Sequence, residues 1–570
     1  MKSFINHAVS SIVLSSALGV SVSASPTPQG PTVKIANGTV YGVHSNTWKQ
    51  DFFLGIPFAQ PPVGDLRFRP AQHINVTKDI QAKAYGPTCY GYGGDNLGYN
   101  ASEDCLTLNV VRPSGIDSKK PLPIAVWIHG GGFVEGSSSN KRYNMTFLVE
   151  QSVKMGSPII GVSINYRLAG WGFLSGRQVA DTANLNLGLK DQRVALHWVQ
   201  ENIASFGGNP KKVTIFGESA GGFSVGFQQI AYSGRDDGLF SGAIMESGTA
   251  VHYKPFPHPD TYQKNYDTVL QATGCAGATD SLQCLRTVDA RKLSDAFNTT
   301  SALEFSPVID GEFIADLGSR LLSQGKYVKV PTIAGTTSDE GASFGALHID
   351  TEQQIKDYLA SATHFKNETI DQILKIYDPT VSVPPAENFT HPDQGTALYG
   401  KEYHRVAAIV GDLMFIAGRR FTVQTMASQN TPVWSYRFRT VSNGFADWLR
   451  SPHFSEVAYV FNNVDMVGYG GPGNQYPGEG PAPLGGPNAA EYRKLADYMS
   501  KSWIRFFNNG DPSVGKSLAK DDVKWIKYRE GSGKSQIVFD IAPHATYMET
   551  DDYREQGMAF MISKFAEDGI

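Results

Sequence analysis

Cysteine is scarce in this chain, with four residues among 570. So small a number excludes a disulfide-dense scaffold, in which bridges stand in for a hydrophobic core. Charge of one sign is lacking as well: 50 Lys and Arg stand against 54 Asp and Glu, with no polybasic run or stripe. Nothing therefore calls for nucleic acid or an anionic membrane as partner. Beyond the N-terminal segment no apolar run is long enough to span a bilayer. No internal repeat or low-complexity linker divides the sequence. Residues 25–570 are expected to form one domain, large enough to bury a core that holds a rigid site.

The N-terminus reads as an address. Met1-Lys2 supplies positive charge, an apolar stretch broken by serines runs from Ala8 to Val22, and Val22-Ser23-Ala24 offers small residues for cleavage. Residues 1–24 are predicted to be a secretory signal peptide, too short and too serine-rich for a membrane span. The segment Ala566 to Ile570 is neither a lipid-anchor tail nor a retention signal. The mature protein is expected outside the cell, without stable membrane insertion. In that oxidising setting Cys89 with Cys105, and Cys275 with Cys284, would close short loops, the simplest of the three possible pairings. Sequons at Asn37, Asn75, Asn100, Asn144, Asn298, Asn367 and Asn388 suit a secreted glycoprotein.

Along the chain, a short apolar run, a Gly or Pro turn and a helical pattern recur. Ile124 to Ile128 is a buried-strand candidate that ends in His129-Gly130-Gly131-Gly132. Ile159 to Ile164 is a second, and Val213 to Phe216 a third that runs into Gly217; between them, Asp191 to Phe206 carries apolar residues at helical spacing. This alternation predicts an α/β fold, a large and mainly parallel sheet flanked by helices, with its site at the carboxyl ends of the strands. Gly468 to Gly486 is dense in Gly and Pro and is read as a long surface loop, either a rim over a pocket or a passive connector.

The strongest chemical signal is Gly217-Glu218-Ser219-Ala220-Gly221-Gly222. A serine hydroxyl is a weak nucleophile and must be fixed beside a base. A sharp strand-to-helix turn does this, and glycines two residues either side leave room for it. The start of the helix also aims free N–H groups at developing negative charge. In His129 to Phe133, side-chain-free glycines let the backbone approach a tetrahedral oxyanion. Gly131 and Gly132, with the N–H of Ala220, are the candidate oxyanion hole. The base and the acid are less legible. With the order serine, acid, histidine, the downstream histidines are His348, His364, His391, His404, His453 and His544. His453 stands out because Ser451-Pro452 opens a loop and an ordered segment, Glu456 to Phe461, follows. Glu340 lies after the strand candidate Thr332-Ile333-Ala334, a suitable place for an acid, but spacing alone does not select it among many carboxylates.

Taken together, the sequence resembles the type B carboxylesterase family, which includes cholinesterases and fungal esterases and lipases. The resemblance spans nearly the whole mature chain. It takes in Phe53 to Ala59 with Pro61 to Gly64, Glu103 to Leu106 with Leu108 to Val110, His129 to Phe133, and Asn165-Tyr166-Arg167. It goes on through Asp191-Gln192-Arg193, Asn202-Ile203, Phe206 to Pro210, Gly217 to Gly222, Phe305 to Pro307 with Asp310-Gly311, Asp339 to Gly341, and His453 with Ser455-Glu456. It implies an α/β-hydrolase fold and carboxylic ester hydrolysis without metal or cofactor. Position by position it implies a triad of Ser219, Glu340 and His453, oxyanion donors at Gly131, Gly132 and Ala220, and supporting polar residues at Glu218 and Ser247. The two cysteine pairs resemble family disulfides.

Two departures bear on the substrate. The cholinesterases carry a tryptophan between the first two cysteines that stacks on choline; here Tyr90, Tyr92 and Tyr99 occur there and no tryptophan, so the main cation–π anchor is missing. The family's interfacial lipases carry a much longer segment with an amphipathic lid helix. Here it is short and rich in Gly and Asn, without the apolar face that settles on oil. Soluble or short-chain esters are therefore expected as the small-molecule partners. The alternatives are a triacylglycerol lipase using residues 468–486 as a different lid, or a non-catalytic binding protein of the same fold; the presence of all three triad residues argues against the second.

Overall fold

A computed structural model describes residues 30–568, apart from 118, 252–257, 299–303, 364, 379–398, 447, 471–482, 517–521 and 530–532. The proposed signal peptide, most of the Gly/Pro-rich loop, His364, His391 and Asn388 lie outside the described residues.

An eleven-stranded sheet runs through the protein. Its strands in chain order are β1 (Val43–Ser45), β2 (Gln50–Pro57), β3 (Thr107–Pro113), β4 (Leu122–Ile128), β5 (Ile160–Ile164), β6 (Gly208–Glu218), β7 (Gly242–Glu246), β8 (Thr332–Thr337), β9 (Val433–Phe438), β10 (Ser535–Phe539) and β11 (Tyr547–Thr550). In space they lie in the order β11-β10-β9-β8-β7-β6-β4-β5-β3-β2-β1. The pairs from β5–β4 through β9–β10 are parallel, and antiparallel strands finish both edges. This is the α/β-hydrolase architecture, a mixed sheet that is parallel through its middle.

The central strands carry apolar side chains toward both faces because both faces are covered. Ile124, Val126 and Ile128 of β4 and Val213 and Ile215 of β6 enter one core, while Ala125, Trp127 and Phe216 enter the core on the opposite face. The predicted strand 213–216 is the final part of a longer β6, whose register against β4 shifts between Gly208 and Val213. The helical pattern begins earlier than its apolar spacing suggested, at Leu187, and gives way to a 3-10 turn over Ile203–Phe206. Both expected cysteine pairs are bonded, Cys89–Cys105 and Cys275–Cys284. Asn75, Asn100, Asn298 and Asn367 are exposed; the Asn37 amide donates to the Ile74 carbonyl, and Asn144 caps the helix Met145–Lys154.

The segment after β11 is tied to the body by charge. Asp551, fully buried, accepts from Arg419 Nη1 at 2.5 Å and Arg420 Nη2 at 2.8 Å, with the Tyr528 hydroxyl at 3.2 Å. Burial opposes its charge, but the two guanidiniums win and hold its pKa down to about 2. Replacing Asp551 with Asn strands two buried cations, and the expected loss is about 3–5 kcal/mol. A carboxylate whose pKa is depressed by folding stabilises the fold above its unfolded value, and that contribution fades as pH falls from about 4 toward 2. Urea unfolding should therefore separate wild type from Asp551→Asn widely at pH 7 and less as the solution is acidified. Coincident curves at pH 7 would refute the tie.

Candidate active site

The ends of four adjacent parallel strands gather the chemistry. β6 ends at Glu218, and the helix Ala220–Gly234 starts two residues later, with Ser219 alone between them. Ser219 has φ 57° and ψ −124°, a conformation that a non-glycine residue holds only when its surroundings impose it. Its N–H donates to the Glu246 carbonyl at 2.9 Å, and its carbonyl accepts from Phe223 N–H at 2.8 Å. The turn leaves no space beside it: a methyl group at Gly221 would lie 2.0 Å from the Ile128 carbonyl oxygen. The elbow read from the sequence is thus present, and only glycine fits its inner side.

β4 ends at Ile128 and runs into the triglycine stretch. Gly130 lies against the elbow, since a methyl there would sit 2.6 Å from the Glu218 carbonyl oxygen and 3.1 Å from Ser219 Cβ. Gly131 and Gly132 follow at φ 104° and 61°. The structure therefore brings the candidate oxyanion segment, the elbow and Ala220 together. His129, at the head of this stretch, is buried and stacks on Tyr166 at 4.5 Å; burial pushes its pKa down to about 4. It stays neutral and belongs to the packing.

β8 leads into the turn that carries Glu340. Asp339 and Ser451 exchange two hydrogen bonds, Asp339 N–H to the Ser451 carbonyl at 3.1 Å and Ser451 N–H to Asp339 Oδ2 at 3.3 Å. These fasten the acid turn to the loop bearing His453. Across the junction, His453 Nδ1 lies 2.6 Å from Glu340 Oε2, while Glu340 Oε1 accepts from Thr337 N–H at 2.8 Å and from Ser247 Oγ at 2.6 Å. The far side of the imidazole faces the elbow: Nε2 is 3.1 Å from Glu218 Oε1. That approach is off the direction of a ring N–H, so it is a close contact and not a hydrogen bond. Phe415 lies against the ring at 4.7 Å and Phe344 meets it edge-on at 5.0 Å. Phe415 belongs to a π-helical turn, Asp412–Ile416, whose buried Asp412 accepts from the Tyr377 hydroxyl and from Arg554 Nε, each at 2.6 Å. Single π turns recur at functional sites.

Sequence reasoning missed Glu246 and Glu456. With Glu218 and Glu340 they make four carboxyl groups, each at most 1% exposed. Trp503 Nε1 donates to Glu246 Oε1 at 2.7 Å, and Glu456 Oε1 lies 3.3 Å from Ser247 Oγ and 3.4 Å from the Tyr436 hydroxyl. Ser247 has one hydroxyl hydrogen for two carboxyl groups, and its short contact goes to Glu340. In its neutral form Glu456 can instead donate to Ser247 Oγ, which satisfies both acids. Burial first, and then the Glu340 carboxylate, raise the Glu456 pKa to about 8; burial and neighbouring carboxylates push Glu218 and Glu246 well above the usual range. Glu456 stands three residues after His453 and Glu246 immediately before Ser247, the one sequence signal that could have flagged them.

A second trio, His44, Asp51 and Ser114, resembles a relay in composition only. Asp51 Oδ1 and Ser114 Oγ both meet His44 Nδ1, each at 3.0 Å. A relay needs acid and hydroxyl on opposite nitrogens.

The sequence pattern of the carboxylesterase family matches residues 29–561. This chain belongs to that family. Lipase 2 of Geotrichum candidum is 34% identical, with 91% of this chain and 92% of that protein covered. A secreted triacylglycerol lipase of Gibberella zeae is 37% identical over 93% and 90%. Among solved structures, Aspergillus niger EstA superposes with a TM-score of 0.80 at 27% identity, covering 95% of this chain and 99% of its own. Family and relatives together make the enzyme class that of the carboxylic ester hydrolases.

The raised pKa of Glu456 has a measurable consequence. An acid whose pKa is raised by folding favours the folded state at low pH, and that advantage is lost as pH climbs from about 4.5 to 8. Glu456→Gln keeps the neutral form, so its stability relative to wild type should rise steadily over that interval, read from urea midpoints at pH 5 and pH 8. Its activity at pH 7 should stay within about tenfold of wild type, because a neutral amide can still donate to Ser247. A variant whose relative stability falls with pH would contradict the assignment.

Proposed function

We propose that this protein is a secreted serine carboxylic ester hydrolase with Ser219 as nucleophile, His453 as base and Glu340 as the acid that orients the imidazole. The observation that carries the reading is the position of one ring: His453 holds Glu340 by Nδ1 at 2.6 Å and turns Nε2 toward the elbow. Ser219 Oγ attacks the ester carbonyl as its proton passes to His453 Nε2. The tetrahedral oxyanion is received by the N–H groups of Gly131, Gly132 and Ala220. Collapse breaks the bond to the alcohol, which takes the proton from Nε2 as it leaves, and the acyl group stays on Ser219 Oγ. Water then repeats the sequence against the acyl-enzyme and releases the acid. Glu340 orients the ring and stabilises the imidazolium.

Residues 1–24 are proposed to direct export and to be removed; relatives named as secreted lipases support this reading. No helix among the described residues is long and apolar enough to cross a membrane. For substrate, soluble or short-chain esters are favoured over emulsified fat, because the Cys89–Cys105 segment is only 16 residues in span and carries no amphipathic helix. A triacylglycerol lipase is the second reading, favoured by the names of the relatives.

Two measurements test this. Ser219→Ala should lose about 10⁴-fold or more in kcat/KM with an unchanged unfolding temperature; retained activity would end the proposal. Across a series of p-nitrophenyl and glycerol esters, rates should saturate below the solubility limit, whereas a jump on droplets would establish the lipase reading.

A further inference from the structure

The loop closed by Cys89–Cys105 is joined at consecutive points to the chain that follows the triglycine stretch. Tyr92 N–H donates to the Val134 carbonyl at 2.8 Å, Asp95 N–H to Glu135 Oε2 at 2.8 Å, and Gly136 N–H to Asn96 Oδ1 at 2.9 Å. The approach is so close that a methyl at Gly93 would lie 1.9 Å from Glu135 Oε2. The same loop reaches the histidine side of the site: Asp95 pairs with buried Arg142, whose guanidinium lies 4.6 Å over the ring of Phe454, the neighbour of His453.

What this does to the site follows from one peptide plane. Val134 N–H and Glu135 N–H both donate to the Gly131 carbonyl at 3.0 Å. That carbonyl shares its planar trans peptide with the N–H of Gly132, so fixing the oxygen aims the N–H the opposite way. Whatever holds residues 134–136 therefore sets the direction of an oxyanion donor.

We infer that the Cys89–Cys105 loop is a fixed brace, and that Glu135 and Asn96 are positioning residues for the Gly131–Gly132 peptide. A loop fastened at Val134, Glu135 and Gly136 cannot swing as a lid without disturbing the donors it would uncover. The site stands permanently assembled, which suits a substrate met singly in solution. This rests on the Ser219 reading given above.

The test uses the full mature chain. Stoichiometric labelling of wild type at Ser219 by an organophosphonate comes first, and its absence overturns the catalytic reading and this inference with it. Given labelling, Glu135→Ala and Asn96→Ala should lower kcat about 10–100-fold, less than the loss of a whole oxyanion donor, with KM changed less than about threefold. Affinity for a trifluoromethyl ketone, which binds as the tetrahedral adduct, should fall in parallel, while the matching methyl ketone binds as before. Glu135→Gln keeps the acceptor oxygen and should restore both kcat and trifluoromethyl ketone affinity. If Glu135→Ala fails to fold, judged by its unfolding transition, Asn96→Ala carries the test. Unchanged kcat and unchanged trifluoromethyl ketone affinity in the folded alanine variants would overturn the brace. So would equal weakening of both ketones, the mark of a general binding defect.

Discussion

Four buried carboxyl groups and one nearly buried imidazole share a small volume, and electrostatics permits few ways of filling it. Two like charges a few ångströms apart in a poorly polarisable medium repel by several kcal/mol, far more than in water. The protein meets this by placing protons: Glu218, Glu246 and Glu456 are pushed toward their neutral forms, and Glu340 accepts hydrogen bonds from Thr337, Ser247 and His453. The ring is therefore held by the member of the group that has the most hydrogen-bond contacts. Trp503, Tyr436 and Ser247 are the uncharged donors that make the arrangement tolerable.

The sheet supplies the rigidity that such a cluster needs. Elbow, Ser247 turn and acid turn leave the ends of β6, β7 and β8, neighbours in one parallel block. Their separations are set by backbone ladders and not by the side chains themselves. The histidine comes from a loop, and the reciprocal bonds between Asp339 and Ser451 hold that loop to the acid turn. Building reacting groups on strand ends and tying a loop residue down is how a site reaches the tolerance that catalysis demands.

The elbow was legible in the sequence because its cause is local: a strand, a bend too tight for side chains at Gly217 and Gly221, and a helix all lie within a few residues. The triglycine stretch was legible for the same reason. The α/β class followed from alternating runs, and the two disulfides from cysteine spacing. His453 and Glu340 were different, since 113 residues separate them and no periodicity links positions that meet only through the sheet order; family likeness, not spacing, picked them out. Glu246 and Glu456 had only their places beside Ser247 and His453 to mark them, and the Phe415 contact had nothing. Burial of an acid among acids is a property of the folded neighbourhood, and a glutamate in the chain carries no mark of it. The attachments of Tyr92, Asp95 and Asn96 to residues 134–136 also lay beyond the pattern, which showed a short segment but not what it grips.

The π turn at Asp412–Ile416 bears on how the molecule fares when its chain is cut. Phe415 supports the imidazole, Asp412 supports the turn, and the cation that answers Asp412 is Arg554, 142 positions downstream. A premature stop just before Arg554 would leave every strand of the sheet, the histidine and the nucleophile elbow in the chain, yet with an uncompensated buried anion beneath the imidazole. Such a fragment would look folded by spectroscopy while its reaction centre sagged, so hydrolytic competence in this protein reports on the integrity of a region remote from any substrate.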